Sequence, residues 1–294
     1  MNALIYGLSW SLPFATPELP QTDTTREVNV VLGGLNEQSI SWSLQGVCYK
    51  AAPGAYFLAV PGVARFLVTN GNQIIIDAQA HVPEQEILHF LFNPVAGALL
   101  MQRGVLPLKA SAVAKDGKAV ILLGNSASGK SLLAAGLMRQ GFKVLTDAVC
   151  AVHPGAEPIV KAGYPHLLLW NRALKELEHD SAALCKLRRN IEKYQLPVHN
   201  EAYALDAIAA RIYLLSYDNE SQYRETRISG QQKFALMLDF IYHNPLMEAF
   251  GVQKEMYRNM ISLAQFCPLK KVDSYSRSGE AQEFIDRFTQ CCMA

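Results

Sequence analysis

Eight consecutive residues carry the sharpest chemistry in this chain: Gly124, Asn125, Ser126, Ala127, Ser128, Gly129, Lys130 and Ser131. They fit G-x-x-x-x-G-K-[ST], the Walker A pattern, at every fixed position, and each fixed position has a physical task. Successive backbone N–H groups can wrap a β-phosphate, glycines let the main chain come close, and a helix beginning near Lys130 turns its positive end inward. The Lys130 ammonium has the length to reach β- and γ-phosphates, and the Ser131 hydroxyl suits Mg²⁺. ATP and Mg²⁺ are therefore the expected occupants of this P-loop. Asp147 follows the strand-like run Lys143–Thr146 and is the expected second metal contact, on the strand next to the loop; a turn-forming Asp at a strand end would read the same way. Likewise, a glycine turn ending in Lys-Ser would match the loop pattern, and what favours phosphate is the context of flanking elements.

That context reads as strand, loop, helix, strand. Ala119–Leu123 is a continuous apolar run closed by Gly124, as a fully buried strand should be. Ser131–Gln140 carries Leu133 and Leu137 on one helical face, with Gly141 at the C′ position. Lys143–Thr146 follows, so a βαβ unit is predicted, with its glycine loop where parallel sheets bind ligands. Upstream, short apolar runs alternate with turn signals, and Asn70-Gly71 predicts a type I′ hairpin. Residues 83–103 have helical character, with Pro94 expected to kink or split them. Downstream, Gln231–Tyr242, Pro245–Leu263 and Glu280–Cys291 show apolar residues at helical spacing. The expected organisation is α/β: residues 1–105 a β-rich region ending in a helix, 106–230 the nucleotide-binding core, and 231–294 a helical region.

Composition narrows the class. In 294 residues, 27 Lys and Arg against 26 Asp and Glu leave a formal charge of +1. Nucleic acid and anionic membranes usually demand a basic excess, so neither is an expected partner. The six cysteines form no C-x-x-C pair, and no leader or membrane-length apolar run is read, so a reducing cytoplasm is expected. A homo-oligomer is left open. Other residues have two readings each. Lys186, Arg188, Arg189 and Lys193 could grip a phosphate or form a solvated helix face. Glu201 and Asp206 could add to a metal site, and Trp170 and Tyr164 could stack on a base or fill a core.

Three stretches together resemble a known family. Leu108-Lys109-Ala110-Ser111-Ala112-Val113 and Asp116-Gly117-Lys118-Ala119-Val120 precede the loop, and Arg139-Gln140-Gly141-Phe142-Lys143-Val144-Leu145-Thr146-Asp147 follows it. This arrangement is similar to the HPr serine kinase/phosphorylase family and, more closely, to the HPr-kinase-related proteins. Tyr164-Pro165-His166-Leu167-Leu168-Leu169-Trp170 adds to the likeness. It is specific over roughly residues 100–175. It implies a phosphoenolpyruvate-carboxykinase-like P-loop core and ATP-dependent phosphorylation of a serine or threonine on a small protein or peptide.

Two departures bear on catalysis. Lys109 stands where the family has a His, and Asp147-Ala148 stands where it has Asp-Asp. The second Asp is the family's proton acceptor, a role Ala148 cannot perform. The hairpin turn at Asp116-Gly117 should place Lys109 beside the loop, as a cation for the γ-phosphate or as a solvated rim residue. Three functions follow as expectations: a serine kinase acting through Lys130, Asp147 and Lys109, a catalytically attenuated ATP-binding partner or regulatory protein, or a small-molecule kinase or ATPase, which shares every feature of the loop. Phosphorylase activity is not expected, because the family's C-terminal motif for it is not found.

Overall fold

A computed structural model describes residues 2–188, 191–217, 223–274 and 281–293. Its architecture is mixed α/β, with two large sheets and one small one. Strands between Asn2 and Ala78 make a nine-stranded sheet, and the predicted hairpin is in it. Asn70 and Gly71 both have positive φ, 53° and 63°, as a type I′ turn requires, and they join Ala64–Thr69 to Gln73–Ala78. The helical stretch that follows is split, as Pro94 demands. Helices Glu84–Phe90 and Ala96–Gln102 flank a π-helical turn, Leu91–Val95, that contains the proline.

The central sheet positions the site. Its strand order from one edge is Leu106–Leu108, Cys150–His153, Ile159–Lys161, Asp206–Tyr217, Lys118–Gly124, Ala110–Lys115 and Lys143–Thr146. Here the βαβ expectation needs correction. Lys118–Gly124 and Lys143–Thr146 are parallel but not adjacent, since Ala110–Lys115 pairs antiparallel with both. The reason is local: Asp116 and Gly117, with φ of 50° and 72°, close a two-residue hairpin that delivers Ala110–Lys115 to that edge first. The direct parallel neighbour of the loop strand is Asp206–Tyr217.

Side chains along the loop strand alternate between two cores, as a strand buried on both faces must. Ala119, Ile121 and Leu123 join a cluster that extends into the nine-stranded sheet and the helices after residue 230. Val120 and Leu122 join a second cluster with Leu133 and Leu137 of the loop helix and Ile285 and Phe288 near the C-terminus. Core packing thus crosses residues 105 and 230.

The C-terminal region differs from its helical expectation in two ways. Gly251, at φ 73°, ends helix Leu246–Phe250 before Gln253–Phe266 begins. Leu269–Ser274 is a strand, parallel to Asp206–Tyr217. Among its described side chains only Leu269 and Val272 are fully buried, and Lys270 and Lys271 pair with Glu225 and Asp273. A strand with so few apolar residues gives little periodic signal.

Candidate functional site

Gly124, at φ 151°, ends the loop strand, and a Cβ there would lie 2.4 Å from Ser128 Oγ and 2.9 Å from the Leu215 carbonyl. Only glycine fits this turn. Gly129, at φ 89°, is the N-cap of the helix Lys130–Arg139 and supplies no side-chain cap. The first-turn N–H groups, which have no intrahelical acceptor, therefore face the loop with the positive end of the helix behind them. Asn125, Ser126 and Ala127 are exposed.

Lys130 folds back over this loop. Its Nζ donates to the carbonyls of Gly124 at 2.9 Å and Asn125 at 2.8 Å, with Ser128 Oγ at 3.5 Å. Burial pushes its ammonium down to about 8; the Asp147 carboxylate opposes that shift, and the Lys109 and Lys193 charges add to it. Three cations thus share one field around the loop.

Asp147 is 7% exposed and held on several sides. Its Oδ1 accepts from Ser111 Oγ at 2.5 Å, Ser131 Oγ at 3.0 Å and the Ala148 N–H at 3.0 Å. Its Oδ2 accepts from the Leu168 N–H at 2.7 Å. The structure thus brings Lys130, Ser131 and Asp147 together, although Asp147 lies two strands from the loop strand. Ser111, on the intervening strand, bonds the same carboxylate oxygen that Ser131 reaches directly from the loop helix. Lys109 is exposed and immediately precedes Ala110, whose register partner is Leu123, so it lies at the loop end of the sheet. Its N–H is anchored on the Phe240 carbonyl at 2.7 Å. Ala148 occupies the left-handed region, at φ 70°.

Sequence reasoning passed over Ser111 and Leu168. Ser111 had a signal, a lone hydroxyl in the apolar run Ala110–Ala114. The Leu168 amide had none, because a backbone donor is the same in every residue. Asp206 is remote: it starts the strand whose far end lies beside Gly124, and it pairs with Lys161 at 2.7 Å. The basic cluster sits on strands rather than a helix, with Lys186 paired to Glu192, Arg188 over the Phe90 ring and Lys193 over the Trp170 ring; Arg189 lies outside the described residues. Trp170 is 47% exposed, whereas Tyr164 is buried and hydrogen-bonded to Glu18. No group of three or more His, Cys, Asp or Glu suited to a metal occurs among the described residues. No described helix is long and apolar enough to cross a membrane.

No protein-family model and no curated protein matches the chain. Among solved structures, the HPr(Ser) kinase/phosphatase from Coxiella burnetii superimposes on it with a TM-score of 0.34. The identity is 12%, over 64% of this chain and 97% of the other. A superposition that loose fixes no detail of the site, whose reading rests on the geometry above.

Proposed function

We propose that this chain is an ATP-dependent phosphotransferase of the HPr-kinase-related type. It would carry the γ-phosphate to a serine or threonine of a small protein or peptide in the cytoplasm, from a P-loop core of the phosphoenolpyruvate-carboxykinase-like type. The observation that carries this reading is the set Lys130, Ser131 and Asp147. A lysine capping its own loop carbonyls, beside an uncapped helix start and a Ser–Asp pair, has the donors of a nucleotide-phosphate cradle. Lys130 exchanges carbonyl partners for phosphate oxygens, which favours its charged form. Gly124 to Ser131 supply backbone donors, and Lys109 adds positive charge on the γ side.

The residues present fit Mg²⁺, which when bound neutralises phosphate charge. The Ser131 hydroxyl would hold it directly, while Asp147, already accepting four hydrogen bonds, would act through Ser131 and the ion's water. The same four bonds give Asp147 a positioning role, since serving as the base would require breaking them. With Ala148 in the acceptor position, positioning and charge stabilisation must drive transfer without a general base. Such a base is typically worth about 10² to 10⁴-fold. That observation favours a second reading, an attenuated kinase that signals by ATP occupancy.

Calorimetry with Mg-ATP tests the site, and radiolabelled γ-phosphate transfer to proteins encoded beside this gene tests the activity. Lys130→Ala should weaken ATP at least about tenfold, or 1.4 kcal/mol. Equal affinity in variant and parent removes the loop from consideration. Ala148→Asp should raise any transfer rate; a parent already turning over at about 1–100 s⁻¹ would show that the missing acceptor is not limiting.

A further inference from the structure

The basic residues of the small sheet divide into paired and unpaired members. Lys186, on the strand Cys185–Arg188, is paired with Glu192, and its ammonium lies over the Tyr194 ring at 5.6 Å. Arg188 has Glu86 at 3.9 Å and the Phe90 ring at 5.0 Å. Lys193 has no acid partner among the described residues; its ammonium lies over the Trp170 ring, 5.7 Å from the centroid. Strand alternation explains the division. Glu192 and Tyr194 share one face of Ile191–Pro197, whereas Lys193 projects from the other.

Lys193 also sits on a strand pair that touches the site. Its register partner is Trp170, and Leu168, two residues before Trp170, gives its N–H to Asp147 Oδ2 at 2.7 Å. Asp147 Oδ1 in turn accepts from Ser131 Oγ at 3.0 Å. The ammonium of Lys193 therefore lies beside a residue of the strand that holds the Ser131–Asp147 pair. A metal on that pair would mark the β- and γ-phosphate end of a nucleotide rather than its base. The field agrees with this placement: the charges acting most strongly on Lys130 are Asp147, Lys109 and Lys193. With Lys130 itself, three ammonium groups face one carboxylate, and Lys109, like Lys193, has no acid partner among the described residues. Like charges gathered in this way repel, and an anion offsets the cost. The positive excess matches the negative excess on a Mg-bound nucleoside triphosphate and is larger than that on a diphosphate.

We propose that Lys193, held over Trp170 in the free protein, contacts the terminal phosphate of Mg-ATP and, with Lys109, sets a preference for triphosphate over diphosphate. The proposal rests on the nucleotide-binding reading above and deepens it by giving the phosphates a cation from a strand outside the loop. On binding, the ammonium exchanges a weak cation–π contact for a charge-assisted hydrogen bond.

Calorimetry of the full chain with Mg-ATP, Mg-ADP and Mg-tripolyphosphate tests this in the parent, Lys193→Met and Lys193→Arg. Lys193→Met keeps an apolar stem over the ring and removes the charge. It should weaken Mg-ATP and Mg-tripolyphosphate about tenfold or more, as the loss of one charge-assisted contact does, and Mg-ADP less than about threefold. Lys193→Arg should stay within about threefold of the parent for all three ligands. The ratio of ATP to ADP affinity within one variant does not depend on the fraction folded, so a folding defect cannot imitate the result. A Lys193→Met protein that binds Mg-ATP or Mg-tripolyphosphate like the parent, or that loses ATP and ADP equally, overturns the proposal and leaves the nucleotide site standing. A parent that binds neither nucleotide refutes the nucleotide reading and this proposal with it.

Discussion

At Leu168 the strand His166–Trp170 gives its N–H to a carboxylate that already accepts from two hydroxyls and a second backbone amide. Two residues earlier, His166 has a ring nitrogen with no partner among the described residues, and so does the Gln195 amide opposite Leu168. These neighbouring places both bury polar groups and treat them differently. Around Asp147 the protein satisfies its own donors, which fixes one geometry and leaves the carboxylate little freedom. Beside His166 it leaves a ring nitrogen and an amide nitrogen unmatched, which costs folding energy. Saturated polar groups hold a site in shape, and unsaturated ones are a cost that substitution can relieve.

The comparison breaks most visibly at Asp147. Asp147→Ala strands the Ser111 and Ser131 hydroxyls and the N–H groups of Ala148 and Leu168, so a loss of about 3–5 kcal/mol is expected, read by chemical denaturation. A loss under about 1 kcal/mol would mean that the network holds nothing in place.

Acid acts on the other place. His166 is pushed down to about 4 by burial, and His89 to about 3 by burial reinforced by the charges of Lys193, Arg188 and His166. Unfolded histidine titrates near 6.5, so between roughly pH 6.5 and 4 the unfolded chain binds more protons than the folded one. Stability should therefore be full above about pH 6.5 and fall as pH drops, steepening by up to about 1.4 kcal/mol per pH unit for each such proton. Melting temperatures at pH 7, 6 and 5 check this, and His166→Asn should flatten the slope; a flat or rising profile in the parent refutes it.

The smallest effect is the most discriminating. Gln195→Leu removes an amide whose nitrogen has no partner, so the ligand-free protein should lose no more than about 0.5 kcal/mol and can gain a little. A loss comparable to that of Asp147→Ala would place Gln195 among the saturated, structural groups.

Features set by neighbouring residues were legible in the sequence. The loop is a local code of glycines, lysine and serine, and the Asn70-Gly71 and Asp116-Gly117 turns announce their hairpins because few residues tolerate positive φ. Pro94 marks its own disruption of the helix. What depends on distant pairing was not legible. Ala110–Lys115 takes the place beside the loop strand because a hairpin closes more locally than a helical crossover, and this puts Asp147 one strand farther away. Leu269–Ser274 hides its strand character behind Lys270, Lys271 and Asp273, whose partners are recognisable only once the sheet exists. Gln195 reads as a surface residue until its register opposite Leu168 turns it inward. The saturation of Asp147 rests partly on backbone amides, which leave no mark in a sequence.

Ala148 has a backbone consequence of its own. Its left-handed backbone, at φ 70°, is one that alanine adopts at a cost and that Asp, Asn and Gly adopt readily. A carboxylate installed there would inherit a main chain already bent to suit it, with no loop to remodel. Alanine and aspartate codons can differ by a single base in the second position. In mutational terms, Ala148→Asp is a step that relieves strain instead of creating it.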